Sequence, residues 1–112
     1  MSMALQIDYV RISQELKIRP EILQRLILSF SKTLMDRMKT LEEALMVSDA
    51  QKMRAILHEI KGTAGNLRLA SISEAEAPMH EAVKANASRE ETHEYFKVLK
   101  SRCEELRDYL AK

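Results

Sequence analysis

The sequence predicts an all-α protein, an antiparallel four-helix bundle with one or two short N-terminal capping helices. Three observations predict it. Strong helix formers abound, with seven Met as adaptable core filler, no Trp, and only three Tyr and two Phe. Apolar residues recur at three-and-four spacing through four successive segments, each long enough for a buried helix. No run alternates apolar with polar as a strand does, and no internal repeat or low-complexity tract breaks the pattern. Residues 1–112 are read as one domain.

Ahead of Pro20, Ile7, Val10 and Leu16 predict a short helix or two packing on one end of the bundle. Pro20 signals the first bundle helix, because the N–H that proline lacks would be unpaired in a first turn anyway. From there to about residue 47, Leu23, Leu26, Ile27, Phe30, Leu34, Met38, Leu41 and Leu45 make one long apolar stripe. Leu28 and Met35, seven residues apart, lie off it, well round the helical wheel from Phe30. The N-terminal segment is expected to cover them through Val10 or Leu16, with a partner-facing patch as the alternative.

Three serines suggest the remaining starts by one device, a hydroxyl that serves backbone N–H groups with an acidic or amide side chain three residues on. These boxes are Ser48 to Gln51, Ser71 to Glu74 and Ser88 to Glu91. The second bundle helix, over 49–67, has the stripe Met53, Ile56, Ile60, Ala64 and Leu67. The third, over 72–86, carries Ile72, Ala75, Met79 and Val83. Pro78 removes the N–H that the Glu74 carbonyl would accept, so a kink is expected there, or a helix that begins near Pro78. The fourth, over 89–110, repeats Phe96, Leu99, Cys103, Leu106 and Leu110 in nearly heptad register.

Charge and composition exclude several functions. Eighteen Lys and Arg against seventeen Asp and Glu leave a formal charge of +1 without a block of like charges, so nucleic acid is not an expected partner. The single cysteine, Cys103, cannot form an internal disulfide and suits a reducing compartment. No apolar run approaches the roughly 18 residues of a membrane span, and residues 1–4 lack the charged start and apolar core of a signal peptide. A cytoplasmic protein is expected, with no membrane partner, and a monomer.

The chain's only two glycines fall in HEIKGTAGN, residues 58 to 66, inside a helical pattern that each weakens by roughly 1 kcal/mol relative to alanine. With His58 at zero on a wheel of about 100° per residue, Ile56, Ile60 and Leu67 fall between about 160° and 200°. His58 therefore faces away from the core. Arg54, Lys61, Gly62 and Gly65 lie within about 60° of it, on the same exposed side. Missing side chains four and seven residues on would let another protein's backbone approach the imidazole. A solitary surface histidine is usually only a surface residue, and Gly65 could simply mark a helix end. The combination with a cation and steric clearance is what favours a site.

The segment Leu57-His58-Glu59-Ile60-Lys61-Gly62-Thr63-Ala64-Gly65-Asn66-Leu67 resembles the signature of the histidine-containing phosphotransfer (HPt) domain. The order and lengths of the helices resemble that family from about Ile7 to Leu110. The resemblance implies that His58 is the phosphoacceptor, Lys61 the cation beside the phosphoryl group, and Gly62 the clearance residue. By their place on the wheel, Arg54 and Gly65 are expected to border the docking face. It also implies a phosphorelay intermediate that takes phosphate from a receiver-domain phosphoaspartate and passes it to another receiver. Response-regulator receivers and a hybrid sensor histidine kinase are the implied partners. One departure stands out. Where the family often has Gly-Ala near the end of this helix, this chain has Arg68-Leu69.

The implied chemistry is consistent with the residues. An imidazole, with a reference pKa of about 6.5, is mostly unprotonated near neutrality and can attack phosphorus. The receiver's acidic pocket would supply Mg²⁺, and this chain would bind no cofactor and act as a carrier without an ATP site of its own. Two alternatives stand beside this reading: a helical adaptor that docks on a receiver without transferring phosphate, and a phosphoacceptor domain of a chemotaxis-type histidine kinase. Competing motifs fail. Lys61-Gly62-Thr63 lacks the GxxxxGK[ST] order and the preceding strand of a phosphate loop. His80, His93 and Cys103 have no metal-ligand spacing. Glu42-Glu43 and Glu104-Glu105 read as solvated helix faces.

Overall fold

Five helices follow one another in the computed structural model, which describes residues 5–112. Residues 1–4, the stretch tested above for a signal peptide, lie outside the described residues. The helices are α1 (Tyr9–Leu16), α2 (Pro20–Met46), α3 (Ala50–Asn66), α4 (Ala70–Lys84) and α5 (Arg89–Leu110). Among the described residues there is no strand, and no helix is long and apolar enough to cross a membrane. Turns of three or four residues join α2 to α5, so sequence neighbours run antiparallel. Each packs on the next, and α5 closes the four-helix bundle against α2. The short α1 packs on α2.

The apolar stripes meet in one core. Leu23, Ile27, Leu34, Met38, Leu41 and Leu45 of α2 are at most 2% exposed, and Ile60, Ile72, Met79, Phe96, Leu99 and Cys103 face them with similar burial. Each such side chain contributes about 1.5–3 kcal/mol by leaving water. Leu26 does not belong to this stripe. It is 46% exposed and borders the groove between α2 and α3. Leu57, absent from the expected stripe of α3, is completely buried and widens that stripe.

Helix ends depart from the expected capping boxes in two of three cases. Ser88 does cap α5, accepting from the Glu91 N–H at 3.1 Å, with Glu90 and Glu91 placed where the helix dipole favours anions. Ser48 caps nothing. It lies past the end of α2 at φ 55°, and the neighbouring Asp49 caps α3 by accepting from Lys52 N–H at 3.1 Å. Ser71 lies already inside α4, whose N-cap is Leu69 without a side-chain bond; Leu69 is 5% exposed and is held there by the core. Nor does α4 begin at Pro78. The helix runs through that residue from Ala70 to Lys84.

Four helices end in one way. Lys17, Ser48, Arg68 and Asn86 adopt left-handed conformations with φ between 55° and 60°. In each case the next N–H reaches back five residues, as in Leu69 N–H to Ala64 O at 2.9 Å and Asp49 N–H to Ala44 O at 2.8 Å. These are Schellman closures, for which glycine is the usual residue. Neither glycine of this chain serves one, and neither has a positive φ.

The cover expected over Leu28 and Met35 is also different. Val10 is 61% exposed and covers nothing, whereas Leu16 packs against the core. Leu28 stays 44% exposed, bordered by Tyr9 from α1 and by Tyr109 and Leu110 at the end of α5. Met35 is half-buried beside Leu110.

Candidate functional site

Helix α3 is built as a support. Asp49 fixes its start, Met53, Ile56, Leu57, Ile60 and Ala64 anchor its inner side, and the Schellman turn at Arg68 fixes its end. An imidazole on such a helix is positioned by packing rather than by its own bonds. His58, between buried Leu57 and buried Ile60, is exposed, and no side-chain hydrogen bond holds its ring among the described residues. Arg54, Lys61, Gly62 and Gly65 are exposed too, and α3 brings all five onto one solvent-facing side. Among the described residues neither Arg54 nor Lys61 has a carboxylate within ion-pair distance. Both cations are available to an anion brought to that side.

The glycines have no counterpart reason inside the fold. A Cβ placed at Gly62 or Gly65 would meet no atom within 4 Å among the described residues. Backbone geometry does not require them either, since both lie in regular helix. The surface around His58 is thus kept low without any demand from the core.

The other histidines are differently placed. His80 is largely buried, its Nδ1 2.7 Å from Glu76 Oε2, and the Glu76 side chain is 1% exposed. His93 is half-buried and stacks on Phe96 with ring centroids 5.9 Å apart. Burial pushes the Cys103 thiol up to about 12, with Glu104 adding to the shift, so it stays protonated near neutrality. No group of three or more His, Cys, Asp or Glu could hold a metal ion among the described residues.

Two features of the site were not read from the sequence. Arg37 of α2 reaches across to Glu59, the residue after His58, with Nε and Nη2 each 3.1 Å from Oε1. Beside this pair a groove of about 380 Å³ runs between α2 and α3, floored by Phe30, Leu34 and Ile60 and edged by Ser29, Thr63 and Asn66. Arg37 and Glu59 are 22 positions apart, so no local pattern signals their meeting. The Glu76–His80 pair did leave a signal, the four-residue spacing that puts two side chains on one helix face.

In a comparison with protein families, the model of the Hpt domain matches residues 25–109, which takes in α3, α4 and all but the first turns of α2 and the tip of α5. Comparison with curated proteins and with solved structures gives no match.

Proposed function

Because the chain belongs to the Hpt domain family, whose members carry phosphoryl groups in two-component systems and interact with receivers and kinases, we propose that it is a phosphorelay intermediate working through His58. The single observation that carries the residue assignment is the pairing of an exposed imidazole with Gly62 and Gly65, two helix-interior glycines that the fold itself does not use. Four left-handed helix ends would each favour glycine by about 1 kcal/mol, and none has it. Clearance for a partner supplies the missing reason.

In the proposed step, a lone pair on a ring nitrogen of neutral His58 forms an N–P bond as the P–O bond of a receiver's aspartyl phosphate breaks. The aspartate leaves with that electron pair, and the proton on the other ring nitrogen passes to solvent. Passage to a second receiver is the same exchange reversed. Lys61, one turn along, offsets charge on the phosphoryl oxygens, while Arg54 and Gly65 border the docking face. Mg²⁺ belongs to the receiver's acidic pocket, and this chain contributes no ATP site.

The test is a panel. Phosphorylated receivers with Mg²⁺, and separately kinase catalytic domains with ATP, are each offered to the protein. Label on His58 from receivers supports the relay reading; label from kinase domains alone would make it a chemotaxis-type phosphoacceptor. A chain that binds receivers and takes no label from either source would be a docking adaptor.

A further inference from the structure

Glu59 presents a difficulty to the reaction just proposed, on which this inference rests. A carboxylate on the residue after His58 is a like charge beside an incoming phosphoryl group, and like charges a few ångströms apart repel. The structure gives that carboxylate a cationic partner on the neighbouring helix. Both Arg37 contacts, Nε and Nη2 at 3.1 Å, fall on the same oxygen, Oε1, and draw Glu59 towards α2. Arg37 is itself held by the packing of α2, where Leu34, Met38 and Leu41 around it are buried. The pair closes one end of the groove between α2 and α3. As a contribution to folding it is minor, because the two side chains are 39% and 49% exposed and surface pairs of this kind stabilise little.

We propose that Arg37 is a positioning residue for phosphotransfer: it holds and neutralises Glu59, so that the phosphoryl group entering or leaving His58 meets no free carboxylate. No bond is made or broken by Arg37. The N–P bond still forms at His58 as the donor's P–O or P–N bond breaks, and Arg37 acts only through the charge it cancels. Its influence is therefore on the rate of transfer, is weakened by salt, and disappears when Glu59 carries no charge.

The experiment compares wild type with Arg37→Ala, Arg37→Lys, Glu59→Gln and the double variant Arg37→Ala/Glu59→Gln. Two donors are used: a phosphorylated receiver with Mg²⁺, and phosphoramidate, which needs no docking surface. Arg37→Ala is expected to slow labelling of His58 about three- to ten-fold with both donors at low salt, with a smaller defect at high salt. The change should fall on the maximal rate rather than on the receiver concentration for half-maximal rate. The double variant should return to within about two-fold of Glu59→Gln, Arg37→Lys should keep most of the rate, and melting temperatures should barely move. A double variant as slow as Arg37→Ala would overturn the proposal, as would a defect seen only with the receiver, which would make Arg37 a docking contact. Labelled wild type with an unimpaired Arg37→Ala sinks this inference and leaves the relay intact. Wild type that takes label from neither donor sinks both.

Discussion

Arg68 Nε lies 3.1 Å from Glu15 Oε1, joining the end of α3 to α1 across 53 positions of chain. The same guanidinium donates through Nη1 to the carbonyls of Gly65 at 3.0 Å and Asn66 at 3.2 Å, so it also caps the helix that carries His58. This is the position where the family often has glycine. Arg68 is left-handed at φ 60°, which glycine would adopt at less cost, and its side chain offsets that by satisfying carbonyls that a helix end leaves open. Glu15 is held in turn by Arg11 at 2.9 Å.

Arg68→Gly is accordingly expected to change stability by less than about 1 kcal/mol, relief of the backbone balancing lost hydrogen bonds. Glu15→Gln should destabilise wild type by about 0.5–1 kcal/mol and the Arg68→Gly background by less, only what the Arg11 pair contributes. Denaturant midpoints for the four proteins give the coupling. An equal loss in both backgrounds would show that Glu15 acts on α1 alone.

His58→Gln should fold normally and take no label from a phosphorylated receiver, whereas wild type should take an acid-labile, base-stable phosphate. His93→Gln should label as wild type does, because that ring stacks on Phe96 away from the exposed side of α3. Peptide mapping of the label checks both expectations. Label on His58→Gln at the wild-type rate would remove the assignment.

Gly62→Leu and Lys61→Ala should separate docking from transfer. The space beside Gly62 is open, so leucine enters without strain and should raise helix stability by up to about 1 kcal/mol. It should nonetheless weaken receiver binding, while phosphoramidate still labels His58. Lys61→Ala should slow transfer more than it weakens binding, since a charge-assisted contact acts chiefly where phosphoryl charge develops. Binding isotherms alongside single-turnover rates make the distinction.

The Glu76–His80 pair should matter to folding alone. His80→Leu leaves a carboxylate that is 1% exposed without its 2.7 Å partner and should cost about 3 kcal/mol or more. Adding Glu76→Met, which removes the stranded charge, should recover most of that loss. Chemical denaturation measures both, and a double variant no more stable than His80→Leu would point to packing rather than charge.

Cys103 should contribute to alkaline unfolding. Its thiol is raised from 9.0 to about 12 in the fold, so between those values the native state holds a proton that the unfolded chain releases. Stability from this source is complete below about pH 9 and falls as pH rises towards 12. Cys103→Ala should show a shallower loss over that window than wild type, against the common background of lysine and tyrosine titration. In the native protein a thiol reagent should leave Cys103 untouched until the chain unfolds.

Much of this molecule is written in short-range pattern. A helix repeats every 3.6 residues, so the side of α3 that faces solvent follows from Ile56, Ile60 and Leu67 alone, and with it the grouping of Arg54, His58, Lys61, Gly62 and Gly65. The four bundle helices are legible for the same reason. Their ends are less so, because Ser48, Asp49, Leu69 and Ser71 compete for cap positions within one or two residues, and burial of Leu69 decides the contest at α4. What only the tertiary structure decided are contacts between residues that share no periodicity: Arg37 with Glu59, Arg68 with Glu15, Tyr9 rather than Val10 beside Leu28. These depend on how far one helix slides and turns against another, a quantity set by the packing of the whole core and by no local stretch of chain.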